Sequence, residues 1–173
     1  MNAEQAKFLT EFFSTLLESE AKTTAKVIAA VPDNKRDYKP DEKSRTAWEL
    51  ATHLATGDVW FLDSVIAGKF NFDPAVEAEQ SKQFKNVNDV VTFYNREFPA
   101  RIKALRALPP EKLTQIVDFF GMFQWPNASY LGFANNHSIH HRGQLAAYLR
   151  AMGSKVPSIY GGSADEPMTA AAH

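Results

Sequence analysis

Hydrophobic residues recur at three- and four-residue spacing in four long stretches of this chain, the period that gathers them on one face of an α-helix. The first stretch, residues 3–31, carries Phe8, Phe12, Leu16, Val27 and Val31 and stops at Pro32. A polar, charged linker with Pro40 inside it follows over 33–44. The second stretch opens on Thr46-Ala-Trp-Glu49, a capping box in which the two side chains satisfy each other's free backbone amides. It runs through Leu50, His53, Leu54, Gly57, Trp60, Phe61, Ser64 and Val65 to a stop at Gly68. The third, 88–108, points Val91, Tyr94, Phe98, Ile102 and Leu105 inward and ends at Pro109-Pro110. The fourth begins near Pro126, a residue tolerated in a first helical turn. It carries Tyr130, Phe133, Ala134, His137, His141, Gln144, Leu145, Tyr148 and Met152 on one stripe before Gly153 ends it.

Between residues 111 and 125 the helical pattern fails. Phe119, Phe120, Phe123 and Trp125 crowd around Gly121, which predicts an aromatic loop, with a short helical turn near Glu111, that packs over the bundle or meets another subunit. Four amphipathic helices and no convincing strand predict an all-α fold, a four-helix bundle whose sites are built from side chains on facing helices. The long connections 33–45 and 109–125 allow a crossover topology. Residues 1–173 read as a single domain, with a tail over 166–173, ending Met168-Thr-Ala-Ala-Ala-His173, expected to fray.

With 173 residues, 45% of them hydrophobic and 12% aromatic, the chain can bury a real core without covalent staples. Its 19 Lys and Arg against 20 Asp and Glu leave a net charge of −1 with no long block of either sign, so the basic stripe that grips a phosphate backbone is missing and nucleic acid is not an expected partner. The N-terminal residues lack the basic start and apolar run of a signal peptide, and no apolar stretch is long enough to span a bilayer. The reading is a cytoplasmic protein with no membrane partner. The absence of cysteine fits a reducing compartment and excludes a thiolate metal site.

The chemistry concentrates in three histidines placed where apolar core residues are expected. His137 and His141 lie four apart in Asn-Asn-His-Ser-Ile-His-His-Arg-Gly-Gln, so they stack on one helical face, and His53 on the second helix can complete a facial set. A single such histidine is more often a core residue with one hydrogen bond. Three of them on two helices favour a shared partner, because a buried ring without one costs about 1–3 kcal/mol. Three protein donors leave coordination positions free, as in catalytic rather than structural zinc sites. Imidazole-only ligation suits zinc, nickel, iron, copper or cobalt alike.

The run His137-Ser-Ile-His-His141-Arg-Gly-Gln144-Leu, followed by Tyr148-Leu-Arg-Ala-Met-Gly153 and Val156-Pro-Ser-Ile-Tyr-Gly161, resembles the DinB/YfiT-like family, and His53 matches that family's upstream histidine. The resemblance spans nearly the whole chain and is close to silent about substrate. It implies an up-down-down-up four-helix bundle, frequently a homodimer, holding a divalent metal on His53, His137 and His141. Zinc or nickel is the first expectation, with iron or manganese as alternatives. It also implies relatives that use a low-molecular-weight thiol, either transferring it or depending on it for isomerisation, beside others known only as stress- or damage-inducible proteins.

Other residues fall into place around that set. His140 diverges from His141 by about 100° on the helix and reads as a neighbour of the site, an interface residue or surface; His173 reads as solvent-exposed. Gln144, one turn beyond His141, is placed to bond a ligand ring or a metal-bound water, or to serve as a packing amide. Glu49, one turn before His53, is a candidate general base whose capping-box role already explains it. Tyr130, two turns before His137, is a candidate proton donor or substrate contact, with core packing as the alternative. Arg142 points about 100° away from His141 and suits an interhelical ion pair, and Gly57 leaves space beside the metal or marks a close helix contact. The expected function is a metal-dependent transferase or hydrolase in which an activated thiol or water attacks a small electrophile, with thiol conjugation favoured over hydrolysis; the alternative is a non-catalytic, metal-stabilised, stress-inducible binding protein.

Overall fold

The computed structural model describes residues 1–168, and residues 169–173, including His173, lie outside the described part. Among the described residues, six α-helices and one hairpin follow in chain order, where the sequence pattern predicts four helices and no strand: α1 Ala3–Ala29, α2 Ala47–Ala67, α3 Pro74–Lys82, α4 Val87–Arg106, α5 Pro110–Thr114, β1 Ile116–Phe119, β2 Phe123–Pro126 and α6 Tyr130–Ala151. The four long helices are the expected ones. Among the described residues, α2 packs against α4 and α6, and α1 packs against the same two helices from the other side. Leu54, Leu62, Ile102, Leu105, Leu131, Leu145 and Leu149 fill the space between them and are fully buried.

Local signals explain where the helices start and stop. Asn2 with Gln5, Thr46 with Glu49, and Asn86 with Asp89 each form a reciprocal capping box at the starts of α1, α2 and α4. Gly68 ends α2 in the left-handed conformation at φ 71°, a geometry that favours glycine. Asp73 caps α3 and Pro74 opens it, a start signal present in the sequence over a stretch too polar to show an apolar stripe. The short helix near Glu111 is α5.

Three expectations need correction. In α1 the packed face is Ala6, Thr10, Ser14 and Leu17, while Phe8 and Phe12 are 68% and 53% exposed and stack on each other in solvent. Small residues let α1 approach its neighbours closely, and a stripe drawn through the largest apolar residues is therefore out of phase. The aromatic segment is a hairpin, not an irregular loop: Val117 and Phe119 point inward, Ile116 and Asp118 outward, and Phe119 pairs with Phe123 across a turn in which Phe120 and Gly121 both have positive φ. Asp118 Oδ2 accepts from the Gly121 amide and stabilises that turn. The last helix starts at Tyr130 instead of Pro126, because Pro126 ends β2 and a 3-10 turn over Asn127–Ser129 intervenes. Asn127 donates its side-chain amide to the Val65 and Lys112 carbonyls there, tying the turn to α2 and α5.

The segment after α6 packs on the bundle. Tyr160 bonds to Glu20 and Arg142, Asp165 pairs with Arg150, and Glu166 accepts from the Ser158 amide. Glu166 thus belongs to a bonded segment, although it lies at the start of the tail expected to fray. No helix among the described residues is long and apolar enough to cross a membrane.

Candidate metal centre

The α2 and α6 faces that meet in the core bring His53 against His137 and His141. One ring nitrogen from each of the three lies within 4.8 Å of the others, and the rings contact each other edge to face at 4.5–5.1 Å between centroids. The Nε2 atoms of His53 and His137 are 3.2 Å apart. Donors about 2.0–2.1 Å from a tetrahedral zinc ion sit roughly 3.3 Å from each other, so this pair already has the spacing of two ligands of one ion.

The surroundings hold the His141 ring in a ligating form. Gln144 Oε1 lies 2.8 Å from His141 Nδ1; an amide oxygen only accepts, so Nδ1 carries the proton and Nε2 keeps its lone pair. Burial, opposed by the Gln144 bond and reinforced by the neighbouring histidines, lowers the His141 pKa to about 4. His141 is therefore neutral, the state a metal ligand needs, across the physiological range. Gln144 is thereby placed where the sequence reading puts it.

The other sequence candidates divide. Glu49 is exposed and spends its carboxylate on the Thr46 amide and hydroxyl, at 2.7 and 3.0 Å; it borders a groove that also touches His53 and is absent from the lining of the cavity beside His137. Tyr130 is fully buried, donates its hydroxyl to the Val117 carbonyl at 2.8 Å and packs against Phe70, so it does not line the cavity beside the histidines. His140 is exposed and touches only the edge of His141 within the cluster. Arg142 forms the expected interhelical ion pair, buried at 1% exposure with its Nη1 2.6 Å from Glu20 Oε2.

One acidic residue was not singled out from the sequence. Asp58 is 3% exposed; its Oδ2 accepts from the Tyr94 hydroxyl at 2.9 Å and the Ser138 hydroxyl at 2.8 Å, while its Oδ1 lies 3.7 Å from His137 Nδ1. Neither Oδ1 nor Nδ1 has a hydrogen-bond partner. Burial and the Asp58 carboxylate raise the Tyr94 pKa well above its usual value, so the phenol stays a donor. The signal was available: Asp58 shares a helical face with Leu54, Phe61, Leu62 and Val65, all buried, and an acid on such a face needs a partner.

A cavity of about 300 Å³ opens beside His53 and His137. Trp60, Phe61, Phe72 and Val76 supply its apolar walls, and Thr56, Asn71, Asp73 and Gln80 its polar ones. Trp60 is fixed by donating its indole N–H to the Asn71 carbonyl at 2.8 Å. Gly57 sits against both rings: a Cβ there would come 3.1 Å from His137 Cε1 and 3.8 Å from His53 Cε1. Both sequence readings of Gly57 thus describe one fact, a close approach that leaves the cavity open.

The three donors, the matched 3.2 Å spacing and a buried ring nitrogen facing a carboxylate fit a divalent cation. The DinB family model matches residues 3–170. The chain belongs to the DinB family. The DinB relatives include the uncharacterized protein YrdA of Bacillus subtilis (strain 168), 26% identical over 150 residues that cover 86% of each chain. A DinB-like protein from Bacillus cereus ATCC 10987 has a crystal structure that superposes with a TM-score of 0.70 at 26% identity, over 87% of this chain and 97% of that one. The mycothiol-dependent maleylpyruvate isomerase shares the fold more distantly, with a TM-score of 0.50 and 9% identity over 92% of this chain and 66% of the isomerase.

Proposed function

We propose that this DinB protein is a divalent-metal-dependent transferase that directs a low-molecular-weight thiol onto a small electrophile. The observation that carries the reading is the set of three imidazoles bordering a 300 Å³ cavity with aromatic walls. A divalent ion there, zinc or nickel first and iron or manganese as alternatives, would lower the pKa of a thiol or water held beside it, water from 15.7 to about 7 and a thiol to full deprotonation. His53, His137 and His141 would hold the ion. Gln144 keeps His141 in the tautomer that leaves Nε2 free. Trp60, Phe61 and Phe72 are placed to take the apolar body of the electrophile and to keep bulk water from its reacting atom. The thiol-dependent isomerase with the same fold supports thiol over water as the nucleophile.

A non-catalytic, stress-inducible metal-stabilised bundle is the competing account, and it calls for a fourth protein donor that closes the coordination shell. Glu49 is committed to Thr46 and His140 is exposed; among the described residues only the three histidines group as metal donors. That arrangement favours an open site with a small-molecule substrate. The test is optical: cobalt-loaded protein titrated with glutathione, cysteine or bacillithiol is expected to gain a thiolate-to-cobalt absorption band. No change with any of the three thiols would overturn the thiol reading.

We further propose that the protein works in the cytoplasm as a homodimer, with the hairpin as the contact. Ile116, Phe120, Met122 and Trp125 on it are 59%, 45%, 66% and 40% exposed, an apolar display for which a second copy is the simplest cover. A monomeric mass by light scattering across micromolar concentrations would remove the dimer.

A further inference from the structure

We propose that Asp58 is a positioning residue for His137: its carboxylate fixes the proton on Nδ1 and thereby turns the Nε2 lone pair toward the metal. The inference rests on the reading of the three histidines as a metal site. Asp58 lies five residues after His53 on α2, about 140° around the helix from it, so it approaches His137 from behind instead of joining the donors.

Two hydroxyls from different helices set the carboxylate's orientation. Tyr94 on α4 and Ser138 on α6 both donate to Oδ2, which leaves Oδ1 directed at His137 Nδ1, 3.7 Å away. That distance exceeds hydrogen-bond range, so the contact is electrostatic, between the carboxylate and the ring edge that carries Nδ1. A carboxylate is acceptor-only when ionised, so the ring nitrogen facing it is favoured as N–H. The opposite nitrogen is then the bare one, and it is the atom 3.2 Å from His53 Nε2.

A buried carboxylate without a nearby full positive charge is costly. A cation bound at Nε2 would supply that charge through the ring, and the carboxylate in return makes the imidazole a stronger donor. A carboxylate that accepts the N–H of a ligating imidazole typically contributes 10- to 100-fold to metal affinity, and Oδ1 is the Asp58 atom that faces Nδ1. Ser138 is adjacent to His137 in sequence, so one turn of α6 supplies both the ligand and a donor that orients its partner.

Asp58→Asn separates this role from a tether between helices. Asparagine's oxygen can still accept from Tyr94 and Ser138, but its amide N–H₂ then faces Nδ1 and drives the ring proton to Nε2, where it opposes the metal. Long-range ¹H–¹⁵N correlation spectra of zinc-free protein should show His137 as the Nδ1–H tautomer in the wild type and the Nε2–H tautomer in Asp58→Asn. Competition with a chromophoric chelator should show zinc bound roughly 10- to 100-fold more weakly by Asp58→Asn, whereas Tyr94→Phe, which keeps the charge, falls short of that loss. Wild-type His137 found as the Nε2–H tautomer would overturn the proposal without recourse to any variant. So would an Asp58→Asn protein that binds zinc like the wild type. A wild type that takes up no zinc would instead overturn the metal site itself, and the role of Asp58 with it.

Discussion

Replacing Gly57 with alanine should move stability and metal binding in opposite directions. The residue lies inside α2, where glycine is about 0.8–1.0 kcal/mol less favourable than alanine, and its φ is not in the left-handed region. The new methyl would meet His137 Cε1 at 3.1 Å, and relief to an ordinary contact of 3.4 Å needs a displacement of 0.3 Å, the difference of the two. Metal–ligand distances tolerate about 0.2 Å, so the ring is pushed outside the range that ligation accepts. A loss of roughly 1.4 kcal/mol in binding, or tenfold in zinc affinity, follows. The metal-free fold should hold or gain up to about 1 kcal/mol, a rise of roughly 2–4 °C in Tm for a chain of this size. Calorimetry on metal-free protein and chelator competition on the same preparation measure the two terms. Wild-type zinc affinity in Gly57→Ala would refute the claim that this glycine keeps the His137 ring free to ligate.

His141 in metal-free protein should titrate near 4, well below the ordinary imidazole value of about 6.5. Because the folded pKa is depressed, the unfolded chain binds more protons between those two values, so acidification from pH 6.5 to 4 destabilises the metal-free fold and raising the pH restores it. An NMR midpoint for the His141 ring at 6.5 or above would contradict this. Glu20→Ala leaves Arg142 buried without its counter-charge and should cost about 3 kcal/mol in denaturant unfolding, while zinc affinity stays unchanged; a loss below about 0.5 kcal/mol would show that Thr24, Tyr160 and the Glu20 carbonyl already satisfy the guanidinium.

The clustering of His53, His137 and His141 was legible in the sequence, and the reason is local geometry. His137 and His141 are four apart on one helix, so their shared direction follows from the helix alone, and the same geometry separates His140 from them. Long stripes with capping boxes also survive translation into structure, as α2 and α4 show. The features that were lost depend on what lies across a gap. The α1 phase was misread because Ala6, Thr10 and Ser14 are chosen for close approach, not for hydrophobicity. The hairpin strands are four residues each, too short for alternation to stand out, and their burial comes from Phe70 and Tyr130 elsewhere in the chain. Asp58 carried a readable burial signal, but its partners Tyr94, Ser138 and His137 come from two other helices that only the fold brings together.

Metal content by mass spectrometry on tag-free protein, wild type beside His137→Ala, tests the central claim most directly. The account predicts close to one equivalent of a single divalent metal in the wild type and its loss in the variant. A wild type that is metal-free as isolated, and that takes up neither zinc, nickel nor manganese under native conditions, would contradict it.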